Sequence, residues 1–227
     1  MEDIDLTLFR DFGKVARLNR SATITEKIHG CNMQVVIAFA ADVAEVWEAT
    51  GVPFVKVTSK EDDMRYCIAA GSRNRWVGVA NDHYYFAAWV VANAFDLLHL
   101  GVGRHFGEWW GYGIQHGYGI KEKRFSLFNT HRWGDPQERP QCCEVVPILY
   151  EGLFTTDACQ SALEHLRRYG SEAAPGFMRP EGIVIWHDAA RTYFKVTLER
   201  DEAPKSVVIE APANTNDVSE IEIAAVA

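Results

Sequence analysis

A lysine can act as a covalent nucleophile only where its amine is held partly out of water and beside other charge, and Glu26-Lys27-Ile28-His29-Gly30 has that form. The lysine sits at a strand end beside another charge, and the glycine of the following turn lets backbone approach a ligand closely. Taken alone, a Lys-x-His-Gly string is more often a surface turn than a catalytic one. Two later residues strengthen it. In Tyr193-Phe194-Lys195-Val196-Thr197-Leu198-Glu199, Phe194, Val196 and Leu198 share one face of a strand, so Lys195 points away from the core face, towards solvent or a cleft. Glu181 opens the otherwise apolar run EGIVIW, a placement that suits a rim carboxylate meeting a metal or another cation, or an ordinary exposed strand start.

These groups need strands to position them. Ser21 to Glu26 alternates, and Met33, Val35, Ile37 and Phe39 repeat with period two, which predicts two strands flanking the turn His29-Gly30-Cys31-Asn32. Asp42 to Thr50 reads as a helix. Met64 to Ala69 reads as a strand running into Gly71-Ser72-Arg73-Asn74, which leaves Arg73 near a strand end. A long buried helix is expected near 84–99, a strand over Val102 to Trp110 that carries Glu108, and a short strand over Arg124 to Asn129 that carries Phe128. Residues 131–140 read as a loop. A strand over Val145 to Leu149, interrupted by Pro147, precedes a helix from about Asp157 to Arg168 capped by Thr155-Thr156. Glu181 to His187, Thr192 to Glu199 and Ser206 to Glu210 complete the strands. The pattern is α+β, rich in antiparallel strands with inserted helices.

Length and charge bound the rest. The chain has 227 residues, 48% of them apolar, enough for one large domain with a small appendage. Its net charge of -8 is uneven, because from Asp201 onward there are six acids against one base. The remaining surface is nearly balanced, so the clusters Arg73, Arg75 and Lys121, Lys123, Arg124 are compatible with a nucleotide or nucleic-acid site. Five cysteines without CxxC spacing favour a reducing compartment, and neither an export signal nor a membrane span is read. The seven tryptophans serve either packing or a ligand cleft.

ITEKIHG resembles the nucleotidyltransferase motif of the ATP-dependent nucleic-acid ligases, in the Lys-x-His-Gly form of the T4 RNA ligase 2 group. Five further strings follow in the family's order. Arg73 in GSRNR is similar to the arginine after the lysine motif, and Glu108 in FGEWWG to the ribose-binding glutamate. Phe128 in RFSLFN is similar to the aromatic that stacks on adenine, with Asn129 where the family has Asp. Glu181 in EGIVI and Lys195 in YFKVT resemble the fourth motif and the first lysine of the terminal Lys-x-Lys, whose second lysine is Thr197 here. The resemblance covers about residues 21 to 198.

What the resemblance implies is an ATP-grasp-like nucleotidyltransferase domain over residues 1–210, followed by an acidic tail over 211–227, with no separate C-terminal nucleic-acid-binding domain. Lys27 would attack the α-phosphorus of ATP, expel pyrophosphate and retain AMP. The attacking nitrogen must be neutral, whereas an unperturbed lysine titrates at about 10.4, so roughly 4 kcal/mol of environmental bias is required near pH 7. Glu181 would hold Mg2+ or Mn2+, and Lys195 would contact the α-phosphate. Arg73 and Glu108 would orient ribose and phosphate, Phe128 would stack on the base, and Glu26 would accept from the adenine amino group through its side chain or main chain. The implied substrate is RNA with 5'-phosphate and 3'-hydroxyl ends, and the short length points to an accessory nucleic-acid-binding protein. Alternatives are a minimal DNA ligase, another polynucleotide nucleotidyltransferase, or an RNA-binding protein that self-adenylylates without sealing. The implied setting is cytoplasmic, either cellular or phage-encoded in a host.

Overall fold

The computed structural model describes residue 9 and residues 11–199. The expected strand over Ser206 to Glu210, Lys205, the acidic tail and the boundary at residue 210 lie outside these residues.

Two antiparallel sheets meet where the chain passes from its first strand to its second. The first sheet has the order β11-β10-β1-β9, where β1 is Ser21–Lys27, β9 Ile148–Leu153, β10 Gly182–His187 and β11 Thr192–Thr197. The second runs β3-β4-β2-β6-β7-β8, with β2 Cys31–Phe39, β3 Phe54–Thr58, β4 Arg65–Ser72, β6 Gly103–Gly111, β7 Lys123–Leu127 and β8 Cys143–Val145. A two-residue strand, β5 (Trp76–Val77), pairs with β4. Only β7 and β8 pair in parallel among the described strands. The expected α+β class with antiparallel sheets and flanking helices is the observed one.

Period-two patterning sets which face is covered. Met33, Val35 and Ile37 of β2 and Ile68 and Ala70 of β4 share one face of the second sheet and are buried. They lie under α2 (Phe86–Ala92) and α3 (Ala94–Leu97), which contribute Phe86, Ala87, Val90, Ala94 and Leu97 to the same core. The anticipated single helix over 84–99 is therefore broken. Asn93, whose amide donates to the Trp89 carbonyl at 2.8 Å, leaves helical geometry at φ -107°, ψ 15° and divides the segment.

Of the other helices, α1 (Ala40–Thr50) follows β2 directly, and α5 (Thr156–Tyr169) covers the outer face of the first sheet. Thr155 caps α5 by accepting from Ala158 N at 3.0 Å, and Ala162, Leu163 and Leu166 pack on Ala22, Ile24, Ile183 and Ile185. The stretch read as a loop from 131 begins with a one-turn helix, α4 (Thr130–Trp133). Asn129 caps it, with Oδ1 accepting from Arg132 N at 3.1 Å. Asn and Asp cap helices about equally well, so the exchange at Asn129 is mild. Strands β3 and β5 add to the expected set, and the single strand expected over Val145 to Leu149 is instead the end of β8 and the start of β9, which lie in different sheets on either side of Val146-Pro147. The tryptophans Trp109 and Trp110 belong to the interior and serve packing.

The union of β10 with β11 depends on one glycine. Gly182 has φ +152°, and a Cβ there would lie 2.2 Å from the Val196 carbonyl oxygen and 2.8 Å from the Thr197 Cα. These are backbone atoms of β11, which cannot yield cheaply. Gly182→Ala is expected to cost about 1–3 kcal/mol, read as a lowered thermal midpoint, whereas an unchanged midpoint would show that the pairing tolerates a side chain.

Candidate active site

Lys27 is the last residue of β1, and its side chain projects from the face of the first sheet opposite α5. Its Nζ lies 2.6 Å from Oε2 of Glu181, each side chain being about a fifth exposed (22% and 23%). Glu181 is fixed from behind, because its carbonyl accepts from Leu198 N at 2.9 Å just before β10 begins. The pair is thus set by strand register, with the acid entering at the level where Lys27 faces Gly182.

The same register places the terminal lysine. Thr197 faces Gly182, which faces Lys27, so Thr197 and Lys27 share one cross-strand row with no side chain between them. Lys195 lies in the row of Val184 and Thr25, on the same face and exposed. Its Cα is displaced from Lys27 by about 7 Å along the strands and about 10 Å across them, a gap that a phosphate between two long side chains can span. Thr197 itself donates to the Glu199 carbonyl at 2.9 Å.

The turn from β1 to β2 brings in the second sheet. Gly30 N donates to Oε1 of Glu108 at 3.0 Å, and a Cβ on Gly30 would stand 2.4 Å from the Trp109 carbonyl oxygen. Only glycine allows that approach. Burial lifts the Glu108 carboxyl to about 7, against the opposing pull of Lys27, the Gly30 amide and Arg73. Arg73 lies in the bend after β4, on a cavity of about 330 Å3 lined by Gly30, Cys31, Asn32, Arg75 and His83. Lys27, Glu181 and Arg73 therefore all act electrostatically on Glu108, although the four come from separate strings.

Phe128 lies just beyond β7. It is half-buried against a small cluster that includes Ile28, Trp110, Tyr118, Val146 and Ala174. Ile28 follows the nucleophile candidate directly, so the aromatic ring belongs to the same neighbourhood as Lys27.

Glu26 departs from its anticipated side-chain role. It lies on the opposite face of β1 from Lys27, 1% exposed, and its carboxylate accepts from Ser171 Oγ (2.6 Å), Glu172 N (2.8 Å) and Ala173 N (3.0 Å). Burial raises its pKa despite the Ser171, Ala173 and Glu172 hydrogen bonds. With its oxygens committed in this way, the side chain anchors the 170–180 loop that delivers Glu181. The basic cluster is also smaller than its sequence suggests, because Arg124 pairs with Glu122 and Glu144.

Sequence reading missed His116 and Tyr118. The Tyr118 hydroxyl accepts from His29 N at 2.7 Å, and His29 Nδ1 lies 3.5 Å from His116 Nδ1. Burial holds the His29 pKa below its ordinary value, with Glu181 opposing and His116 and Lys27 reinforcing the shift. The available signal was Gly117-Tyr118-Gly119, a tyrosine between two glycines and itself at φ +52°.

For a divalent cation the donor set is spare but suitable. Glu181 Oε2 is sealed from solvent and has no hydrogen bond of good geometry, only the Lys27 ion pair. Among the described residues no group of three or more His, Cys, Asp or Glu is arranged to hold a metal. That combination fits a hard cation bound through one carboxylate, substrate phosphate oxygens and water.

Residues 20–197 match the RNA ligase family. The chain belongs to that family. Among solved structures it is similar to Naegleria gruberi RNA ligase. A mutant with ATP and Mn aligns at 19% identity and TM-score 0.50, covering 79% of this chain and 50% of that one. An apo mutant aligns at 17% identity and TM-score 0.48 with the same coverage. The chain thus spans about half the length of the solved relatives it matches. Nothing among curated proteins matches it. Among the described residues no helix is long and apolar enough to cross a membrane.

Glu108 makes this RNA ligase family site testable by pH. A raised carboxyl pKa favours the folded state while the group is protonated, so its contribution is present below 4.5 and is lost as pH rises through about 7. Thermal midpoints measured from pH 4 to 8 are expected to fall less steeply in Glu108→Gln than in the parent between those values. Parallel curves would remove Glu108 from that linkage.

Proposed function

We propose that the chain is an ATP-dependent RNA ligase domain that forms a lysyl-AMP intermediate at Lys27, transfers AMP to an RNA 5'-phosphate and joins that end to a 3'-hydroxyl. The Lys27–Glu181 pair at 2.6 Å, in the sheet whose next strand, β11, carries Lys195 on the same face, is the observation that supports this most strongly.

In the first step the Lys27 Nζ–P bond forms and the bond from the α-phosphorus to pyrophosphate breaks. The amine must give up its proton first, and Glu181 Oε2 is the nearest acceptor in the site. Glu181 would also hold a divalent cation when one is bound, and the cation would supply charge neutralisation at the phosphates. Lys195 adds positive field on the same face, where it can meet the phosphates. Arg73 and Glu108 orient phosphate and ribose, and Phe128 stacks on adenine, worth about 1–3 kcal/mol for a base on an aromatic platform. Base selection, if it comes from Glu26, comes from its main chain. His29, held neutral, adds no charge to repel an incoming cation.

ATP and a divalent metal are also the ligands of the similar Naegleria gruberi RNA ligase mutant, in keeping with this reading. The Lys-x-His-Gly form favours RNA over DNA as the acceptor, by resemblance to the T4 RNA ligase 2 group. A single domain at residues 1–210 acting in the cytoplasm, with RNA as its partner, completes the proposal.

Sealing is tested with a labelled nicked RNA duplex, ATP and Mg2+ or Mn2+, resolved on a denaturing gel. Joined product that vanishes in Lys27→Ala and falls at least a hundredfold in Glu181→Gln is expected, since both groups act at the reacting atoms. Joining that survives Lys27→Ala would refute the mechanism. Thr197→Lys would place a second ammonium in the Lys27 row, and AMP transfer to the protein is expected to be unchanged or faster. A loss would mean that Thr197 is matched to its surroundings.

A further inference from the structure

Tyr84 and Tyr85 are consecutive non-glycine residues at positive φ, +53° and +66°, immediately before α2. A left-handed tyrosine is sterically unfavourable, and two in a row persist only where surrounding bonds enforce them. Here the enforcing bonds are visible. The indole N–H of Trp109, itself 2% exposed, donates to the Tyr84 carbonyl at 3.1 Å. Two residues before Tyr84, the Asp82 carboxylate accepts from His83 N, Ala87 N and Ala88 N at 2.7–2.9 Å.

What this arrangement achieves is display. The Tyr85 side of the segment is 72% exposed, and Tyr112 beyond β6 is 62% exposed. Lys123 stands between them, its Nζ 5.4 Å from the Tyr85 ring centroid and 5.7 Å from that of Tyr112. The hairpin holds this spacing, because Lys123 pairs with Gly111 and Tyr112 N donates to the Glu122 carbonyl at 2.8 Å. The patch is joined to the site. His83, whose ring lies 4.8 Å from that of Tyr84, lines the cavity that holds Arg73, Arg75 and Gly30.

We infer that Tyr85, Lys123 and Tyr112 form a docking surface for an unpaired RNA strand that leads to the Lys27 site past His83 and the Arg73–Arg75 rim. Two exposed aromatic faces with a cation between them match the chemistry of successive bases and their intervening phosphate. A protein partner would find little unbroken apolar surface there, and a paired helix would hide its base faces from the rings. This inference rests on the RNA ligase reading, and its test separates the two.

Fluorescein-labelled single-stranded RNA carrying a 5'-phosphate is titrated with the parent chain, Tyr85→Ala, Tyr112→Ala, Tyr85→Phe and Lys123→Ala, and anisotropy is followed. Each tyrosine-to-alanine change is expected to weaken binding about 5- to 150-fold, with Tyr85→Phe close to the parent. Lys123→Ala is expected to weaken binding and to reduce the salt slope by about 0.7, as for one single-strand phosphate contact. AMP labelling of Lys27 reports on catalysis separately. A parent that binds RNA through the tyrosines but takes no AMP overturns the ligase reading and leaves the surface standing. The surface is overturned if Tyr85→Ala and Tyr112→Ala bind single strands like the parent, or if they lose affinity equally for a fully paired RNA duplex.

Discussion

An ammonium and a carboxylate 2.6 Å apart, both largely withdrawn from water, form the contact around which the molecule is organised. Each charge offsets part of the cost of withdrawing the other from water. Strand register is what brings them together. Lys27 ends β1, Glu181 precedes β10, and the strands align so that Lys27 faces Gly182. The missing side chain at Gly182 then leaves the row open towards Thr197, and the lysine of β11 stands one pleat further on.

The second constraint is the crossing between sheets. Lys27 belongs to the first sheet and Cys31 to the second, with only Ile28, His29 and Gly30 between them. Those three residues are each held differently. Ile28 enters a small apolar cluster, His29 N bonds the Tyr118 hydroxyl, and Gly30 N bonds Glu108. A short, fully bonded turn therefore fixes the nucleophile candidate relative to groups from both sheets. Glu26 performs the matching task on the hidden face by fastening the 170–180 loop, so that alternate residues of one strand serve packing and chemistry.

Much of this was legible in the sequence where the physics is local. Period-two patterning located β1 and β2, apolar runs bounded by turn residues located β4, β6 and β10, and the Thr155 cap marked the start of α5, because burial and a capping hydroxyl leave direct traces in residue order. The expected residues Lys27, Glu181, Glu108 and Arg73 fall in one neighbourhood, with Phe128 close by. What stayed hidden depends on contacts distant in sequence. The fate of the Glu26 carboxylate was set by backbone amides some 146 residues away, and the pairing of Arg124 with Glu144 by a parallel strand. The left-handed tyrosines reflect a bond from Trp109, 25 residues away, whereas the break at Asn93 comes with a local side-chain bond to Trp89 that competes with helical periodicity.

The central claim is that Lys27 becomes covalently adenylylated. Incubation with ATP and Mg2+ or Mn2+, followed by proteolysis and peptide mass spectrometry, tests it at the level of the atom concerned. The account predicts one AMP on the peptide containing Lys27, absent from Lys27→Ala and removed by added pyrophosphate. An unmodified Lys27 peptide across metals and pH, or AMP on another residue, would contradict it.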